Sequence, residues 1–412
     1  MNVVILCDYA KVAGGAERVA IDSAIGLAEA GLTVHFIAAL GPIDASLAAS
    51  PVTVHIADVP DLRNKSRIEL LTGGLWSTRV SKLVRSVLGL LPRGQTVVHA
   101  HSWQRALTAS ALHASIQSGH GFVVTLHEYG LACPNQGFFD YQQMRICEKQ
   151  ALGLDCLTTH CDTRTYAHKL WRTGRIILQR SIVGLPSQLQ HVIYLSELSR
   201  QVMQPYFGQQ TKWHAVRNPI GIAKVERTRA EENSAFVFIG RVSREKGADL
   251  FAIAARAAGV DAVLAGDGPD LAALQRNHPA MRYLGWVPAA DLTKHLASAR
   301  ALVFPSILYE TLGLTVLEAL AMGVPAIVSD GTAARASVTD GETGLLFKHM
   351  DVADLTRILR LLADDHQLVA AMSVKAYEAY WANPPTLGSH VRALQSVYKT
   401  ILADMETKRR DA

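Results

Sequence analysis

The chain has 412 residues, 49% hydrophobic and 19% charged, which excludes a disordered or low-complexity protein and suits two or three folded domains. A surplus of 41 Lys and Arg over 36 Asp and Glu, net +5, is too small and too dispersed for a dedicated nucleic-acid binder. Five cysteines are too few for a disulfide scaffold, and no uncharged apolar run reaches the roughly 18 residues that span a bilayer.

Met1 leads directly into Val3-Val4-Ile5-Leu6 with no basic start or small-residue cleavage site, so no secretory signal and a cytoplasmic location are expected. Asn2–Cys7 suits a strand buried on both faces. A loop with Gly14-Gly15 leads into Ala16–Ala30, where Ile21, Ala24, Ile25 and Ala28 share one helical face opposite Arg18, Asp22 and Glu29. Gly31 caps that helix, and Thr33–Ala39 is the next strand. Further strands are predicted near 52–57, 95–100, 121–126, 191–195 and 211–216, while Phe138–Leu189 breaks the rhythm and reads as an insertion, about 138–189. The polar stretch Arg217–Ser234 reads as a linker. Beyond it, Ala235–Ile239, Ala262–Ala265, Met281–Leu284, Ala301–Phe304 and Pro325–Val328 are strands separated by helix-length segments such as Ala248–Ala258. Strands alternating with helices imply a parallel sheet covered on both sides. Two such series imply an α/β protein of two Rossmann-like, doubly wound parallel-sheet domains facing across a cleft, 1–216 and 217–380. Helical patterns at Tyr377–Trp381 and Thr386–Met405 complete the chain.

The densest chemical signal is Phe304–Asp330. A strand ends at Pro305, a loop carries Glu310 and Gly313, and a helix begins near Leu314 or Thr315, holds Glu318 in its first turns and ends at Gly323. The free N–H groups of such a first turn are suited to an anion, and ligands of open α/β sheets bind at the carboxyl ends of strands. The second signal is Phe236–Gly247, where a strand ends at Gly240 and is followed by Arg241 and then Lys246 opening a helix. An Arg fork and a Lys point charge at a strand end suit a diphosphate. Taken singly, each of these is a commonplace surface charge; it is the joint occurrence that points to a phosphorylated ligand.

The combination resembles the family-4 glycosyltransferases, retaining enzymes of the GT-B fold that use nucleotide-diphosphate sugars. The resemblance rests on Gly14-Gly15-Ala16-Glu17 after the first strand, His127 at a strand end, Asn218-Pro219 at the domain junction, Gly240-Arg241 through Lys246-Gly247, Ala265-Gly266-Asp267-Gly268-Pro269, and Glu310 with Glu318. It implies a hexosyltransferase acting from a UDP- or GDP-sugar on a glycan or polyprenyl-diphosphate-linked acceptor, like enzymes of bacterial surface-polysaccharide biosynthesis. By this resemblance Arg241 and Lys246 clamp the diphosphate, helped by the amides of Gly14, Gly15, Thr315 and Val316. Glu318 holds the ribose, Glu310 the transferred sugar beside Gly313 and Leu314, and backbone near Leu284-Gly285-Trp286 edges the base. His127 lies at the reaction centre, for orientation or proton handling. The family commonly has Phe where this chain has Leu312, which bears on the donor's identity. The chain has no Asp-x-Asp triplet and the cationic clamp removes the need for one, so no cofactor and no catalytic metal are expected. A sugar-nucleotide epimerase of related fold and a catalytically silent transferase-like scaffold are the alternatives. An oxidoreductase lacks its Gly-x-Gly-x-x-Gly after the first strand.

On the acceptor side, His99 and His101 follow one another on a strand and would face opposite sides if it continues, leaving at most one for the cleft. Cys133, Cys147, Cys156 and Cys161 cluster in sequence and could be a structural zinc site, free buried thiols or a disulfide. Residues 163–184 carry Arg164, Lys169, Arg172, Arg175 and Arg180 with no acid, interleaved with Leu170, Trp171, Ile176, Ile177 and Leu178. Such a stretch suits an anionic membrane surface, and with it a peripheral place on the inner face of the cell membrane, or else a solvated helix. In the resembled family the terminal helix, here 381–412, crosses back to the first domain, with Trp381 and Tyr398 as its expected anchors.

Overall fold

A computed structural model describes residues 1–59, 74–288 and 291–411. The first sheet is built from β1 (Asn2–Tyr9), β2 (Thr33–Leu40), β3 (Thr53–Ile56), β4 (Thr96–Ala100) and β5 (Gly121–Thr125). After a small antiparallel hairpin, β6 (Phe139–Asp140) and β7 (Arg145–Ile146), it is completed by β8 (His191–Tyr194) and β9 (Lys212–Ala215). The second contains β10 (Ala235–Ile239), β11 (Ala262–Ala265), β12 (Arg282–Gly285), β13 (Ala299–Phe304), β14 (Ala326–Ser329) and β15 (Gly344–Phe347). Both are wholly parallel, ordered β3-β2-β1-β4-β5-β8-β9 and β12-β11-β10-β13-β14-β15. In each sheet the chain winds outward one way from its first strand, then returns and winds the other way. The reversals fall between β1 and β4 and between β10 and β13, where diverging connections open a crevice at the carboxyl ends of the strands.

The near-continuous apolar runs are explained by burial on both faces. Val3, Val4, Ile5 and Leu6 on β1 are fully buried, alternate residues feeding the two cores on either side of the sheet. β15 is absent from the expected strands; four residues after the turn at Asp340-Gly341 give no period of their own. A charged side chain is embedded in the second lobe. Arg300 on β13 is buried, and its guanidinium donates to the carbonyls of Leu362, Glu231 (3.2 Å), Asn233 (3.0 Å) and Ala363 (3.2 Å).

The long helix Leu387–Asp411 returns to the first lobe, where Val391, Leu394, Val397, Tyr398 and Ile401 join the core of β1 and β4. A Cβ at Gly121 would lie 2.7 Å from Ile401, so the bare glycine on β5 lets this helix approach. Trp381 is not an anchor to the first lobe as expected. It ends the preceding helix His366–Ala382, and its indole donates to the Ala321 carbonyl (2.8 Å) within the second lobe. The break at Pro384-Pro385 comes after it, so only residues beyond the break make the crossing.

Candidate active site

The two switch points face each other across a cavity of about 320 Å³. From the first lobe it is lined by Gly15 and Ala16 after β1, His127 after β5, and Leu195 and Asn218. From the second come Gly240, Arg241 and Lys246 after β10, with Pro305, Ser306, Glu310, Leu312, Gly313, Leu314 and Thr315 after β13. The helix Leu314–Ala321 points its first turn at this space, and Gly313 precedes it with φ 109°, a backbone setting that favours glycine. Gly247 has φ 73°, and a Cβ there would meet the Pro305 carbonyl at 2.0 Å. That contact packs the Lys246 loop onto the end of β13 and brings Lys246 to Glu310.

Lys246 Nζ lies 2.6 Å from Glu310 Oε1, and the same oxygen accepts the Ser306 hydroxyl at 2.6 Å. Glu310 has φ 53°, a conformation costing a non-glycine residue about 1–3 kcal/mol and met most often where function demands it. Arg241 is exposed and makes no ion pair among the described residues. An anion at this spot would therefore find one unpaired guanidinium and one ammonium held beside a carboxylate. The lobes also touch directly: the Tyr129 hydroxyl donates to the Glu310 carbonyl (2.5 Å), and Thr311 Oγ1 donates to the His127 carbonyl (3.1 Å). Burial lowers the His127 imidazole to about 3, so the ring is neutral.

Other expected site residues lie off this cavity. Gly14 precedes it by one residue. Val316 is fully buried, and its amide donates to the Gly313 carbonyl (3.1 Å), which leaves Leu314 and Thr315 as the first-turn positions facing the space. Glu318, a turn further along, is half-buried; loss of water raises its carboxyl to about 7, with Arg18 of the first lobe opposing the shift. Gly285 ends β12, two strands from β10, and its carbonyl accepts the Gly266 amide (2.7 Å); Trp286 beside it is 72% exposed.

The opposite facing expected of His99 and His101 is corrected, while the expectation that at most one of them reaches the cleft stands. β4 stops at Ala100, so the two side chains do not alternate. Their rings pack against each other with centroids 4.1 Å apart, both are buried, and neither lines the cavity. They stand behind His127, whose Nε2 meets His101 Nδ1 at 2.9 Å. The spacing alone hid this, because it turns on where the strand ends.

The zinc expectation is likewise corrected. No three His, Cys, Asp or Glu side chains among the described residues are placed to hold a metal, and all five cysteines are free. Burial raises the Cys133 thiol and pushes Cys161 up to about 11, so these are protonated thiols; Cys161 Sγ accepts from Asn135 at 3.0 Å. The cation enclosed by this loop is the buried Lys169 ammonium, which donates to the carbonyls of Cys156 and Thr159. The basic stretch is also rearranged. Lys169 is buried, Arg172 pairs with Asp162 (3.3 Å), Arg175 donates to the Gln104 carbonyl, and only Arg164 and Arg180 are exposed. Leu170, Ile177 and Ile182 face outward instead.

The model of Glycosyltransferase Family 4 matches residues 13–224, more than half of the chain, and that of Glycosyl transferases group 1 matches residues 233–365. The chain is similar to O-antigen chain mannosyltransferase B of Escherichia coli, 38% identical over 110 residues, which are 26% of this chain and 28% of that protein. It is also similar to a GDP-mannose-dependent alpha-mannosyltransferase of Mycolicibacterium smegmatis, 37% identical over 109 residues, 26% of this chain and 29% of that one. The chain thus spans less than a third of the length of these curated relatives. Among solved structures, HepE of Anabaena in complex with UDP and glucose superposes with a TM-score of 0.67 at 16% identity, covering 97% of this chain and all of the other, which shows the fold to be GT-B. With its two parallel sheets and a family match running from the Gly14-Gly15 loop across the first lobe, the chain belongs to Glycosyltransferase Family 4.

Proposed function

We propose that the chain transfers a hexose from a UDP- or GDP-sugar to a glycan or polyprenyl-diphosphate-linked acceptor, with retention of configuration, in surface-polysaccharide biosynthesis. The observation that carries this is the convergence of Arg241, Lys246 and Glu310 at the ends of β10 and β13, opposite His127. In this reading residues 217–380 hold the donor, 1–216 with the 138–189 insertion receive the acceptor, and within 381–412 the part beyond Pro384-Pro385 ties the two.

Arg241 and Lys246 neutralise the charge that develops on the departing nucleoside diphosphate, and the amides of Gly15 and Thr315 add neutral donors. Lys246 exchanges its Glu310 contact for a phosphate oxygen, and Glu310 turns to the sugar hydroxyls that fix the reactive pose. His127, neutral, meets the sugar from the first lobe, and Glu318 takes the ribose hydroxyls once the nucleoside fills the space toward Gly285. Two fixed cations supply what a divalent metal supplies elsewhere, so transfer proceeds without one. The similarity to a GDP-mannose-dependent mannosyltransferase and to a protein in complex with UDP supports both donor bases. A panel of nucleotide sugars in a thermal-unfolding assay tests the assignment. The true donor raises the melting temperature, by about 2.7 kcal/mol of added stability at a hundred times its Kd, and Arg241→Ala abolishes the rise. Absence of a shift with every UDP- and GDP-sugar overturns the assignment.

The same reading places residues 163–184 against an anionic membrane surface, at the cytoplasmic inner face. No helix among the described residues is long and apolar enough to cross a membrane. The helix Tyr166–Leu178 instead turns Leu170 (47% exposed) and Ile177 (46%) outward, with Ile182 (54%) beyond it and Arg164 and Arg180 at the two ends. Flotation with phosphatidylglycerol vesicles should carry the protein upward, and Leu170→Glu with Ile177→Glu should leave it at the bottom. Equal flotation of both removes this surface from the proposal.

A further inference from the structure

His127 is backed by a column of aromatic side chains running away from the cavity. Its Nε2 lies 2.9 Å from His101 Nδ1, and the two rings stack at 5.1 Å with 25° between their planes. His101 packs in turn against His99, ring centroids 4.1 Å apart and the planes tilted by 39°. His99 is held at both nitrogens, by the Tyr398 hydroxyl from the terminal helix and by Thr125 Oγ1, each at 2.7 Å. The other nitrogen of His101, Nε2, is buried and has no hydrogen-bond partner among the described residues. Burial lowers the basicity of all three imidazoles, so each carries one N–H and one lone pair.

Only two proton placements satisfy the 2.9 Å contact. If His127 donates from Nε2, His101 must accept at Nδ1 and carry its own proton on Nε2, a buried N–H with nothing to receive it. Orphaned buried N–H groups are rare and costly. If His101 donates from Nδ1, its Nε2 keeps only a lone pair, and His127 accepts at Nε2 and carries its proton on Nδ1. We propose that His101 is a positioning residue that fixes His127 as the Nδ1–H tautomer, presenting a single N–H donor to the oxygen of a ligand in the cavity. His127 Nδ1 has no hydrogen-bond partner among the described residues, and the side chain lines the cavity. The His99 ring, itself fixed from two sides, packs against the His101 ring and holds its plane, and the 2.9 Å contact with His127 selects the ring edge that carries Nδ1. The kinetic consequence rests on the proposed place of His127 at the donor sugar; the tautomer does not.

Long-range 1H–15N correlation spectra of 15N-histidine-labelled protein test this, with His127 assigned by the signals lost in His127→Gln. The expected result is the Nδ1–H pattern for His127 in the unmodified protein. His101→Asn, whose amide can donate from the place of Nδ1, should retain that pattern, and His101→Phe should lose it. In donor turnover His101→Phe should lower kcat up to about a hundred-fold, as a misplacement of about 1 Å can, with an unchanged donor-induced thermal shift, and His101→Asn should recover most of it. An Nε2–H pattern in the unmodified protein overturns the inference, as does an unchanged Nδ1–H pattern in His101→Phe. Absence of any turnover with an Nδ1–H spectrum counts against the transferase reading and leaves the tautomer standing.

Discussion

Lys246→Ala is expected to lower kcat/KM for sugar transfer by on the order of 10²–10³-fold, the usual effect of removing one preorganised donor from a site of developing charge. Two losses combine. The ammonium no longer meets the diphosphate, and Glu310, now held only by Ser306, presents an unbalanced carboxylate to an anionic donor. The second loss is separable. Glu310→Gln in the Lys246→Ala background should restore part of the donor affinity while leaving transfer slow, since the sugar loses its carboxylate contact. The two substitutions are therefore non-additive in binding. Calorimetric donor titration beside steady-state kinetics measures both. A Lys246→Ala enzyme with unaltered kcat/KM removes Lys246 from the diphosphate.

Arg300→Leu should be the most destabilising single change in the second lobe. Three carbonyls, of Asn233, Leu362 and Ala363, lose the Arg300 donor in a buried setting, while that of Glu231 keeps His366 Nδ1 (2.9 Å), and each acceptor left unmade costs about 1–3 kcal/mol. A total beyond about 3 kcal/mol corresponds to a fall of roughly 6–12 °C in the melting temperature of a unit this size. Arg300→Lys should fall between, because an ammonium cannot reach four carbonyls spread around a planar fork. Differential scanning calorimetry resolves the series; equal transitions for Arg300→Leu and the native chain would show that water takes over the freed acceptors.

Much of the site was legible because it sits where strands end. Arg241, Lys246 and Glu310 follow apolar runs whose lengths alone fix their height above the sheet, and parallel topology brings those heights together. What escaped notice depends on partners distant in sequence. Arg300 is one charge in an apolar strand, and its acceptors come from segments more than sixty residues away. Lys169 belongs to a regular amphipathic pattern, but the helix turns this lysine toward its own insertion loop, so the face read as basic is partly interior. The His99–His101–His127 stack required knowing that β4 stops at Ala100. Val316 fits the first turn in sequence, yet its amide is already spent on Gly313.

The polypeptide passes between the lobes twice, once outward at Val216–Ile220 and once back at Asn383–Leu387, and the two strands of that passage are stitched side by side. Ile220 N donates to the Pro385 carbonyl (2.9 Å), Arg217 to the Asn383 carbonyl (2.9 Å), and His390 bridges the Arg217 carbonyl and Ser23 at 2.8 Å each. Two adjacent pins on one edge define an axis, as on a door. A rotation of one lobe on the other about that axis would carry the Glu310 loop toward or away from His127, and the paired tethers would oppose the sideways slip that a single one would permit.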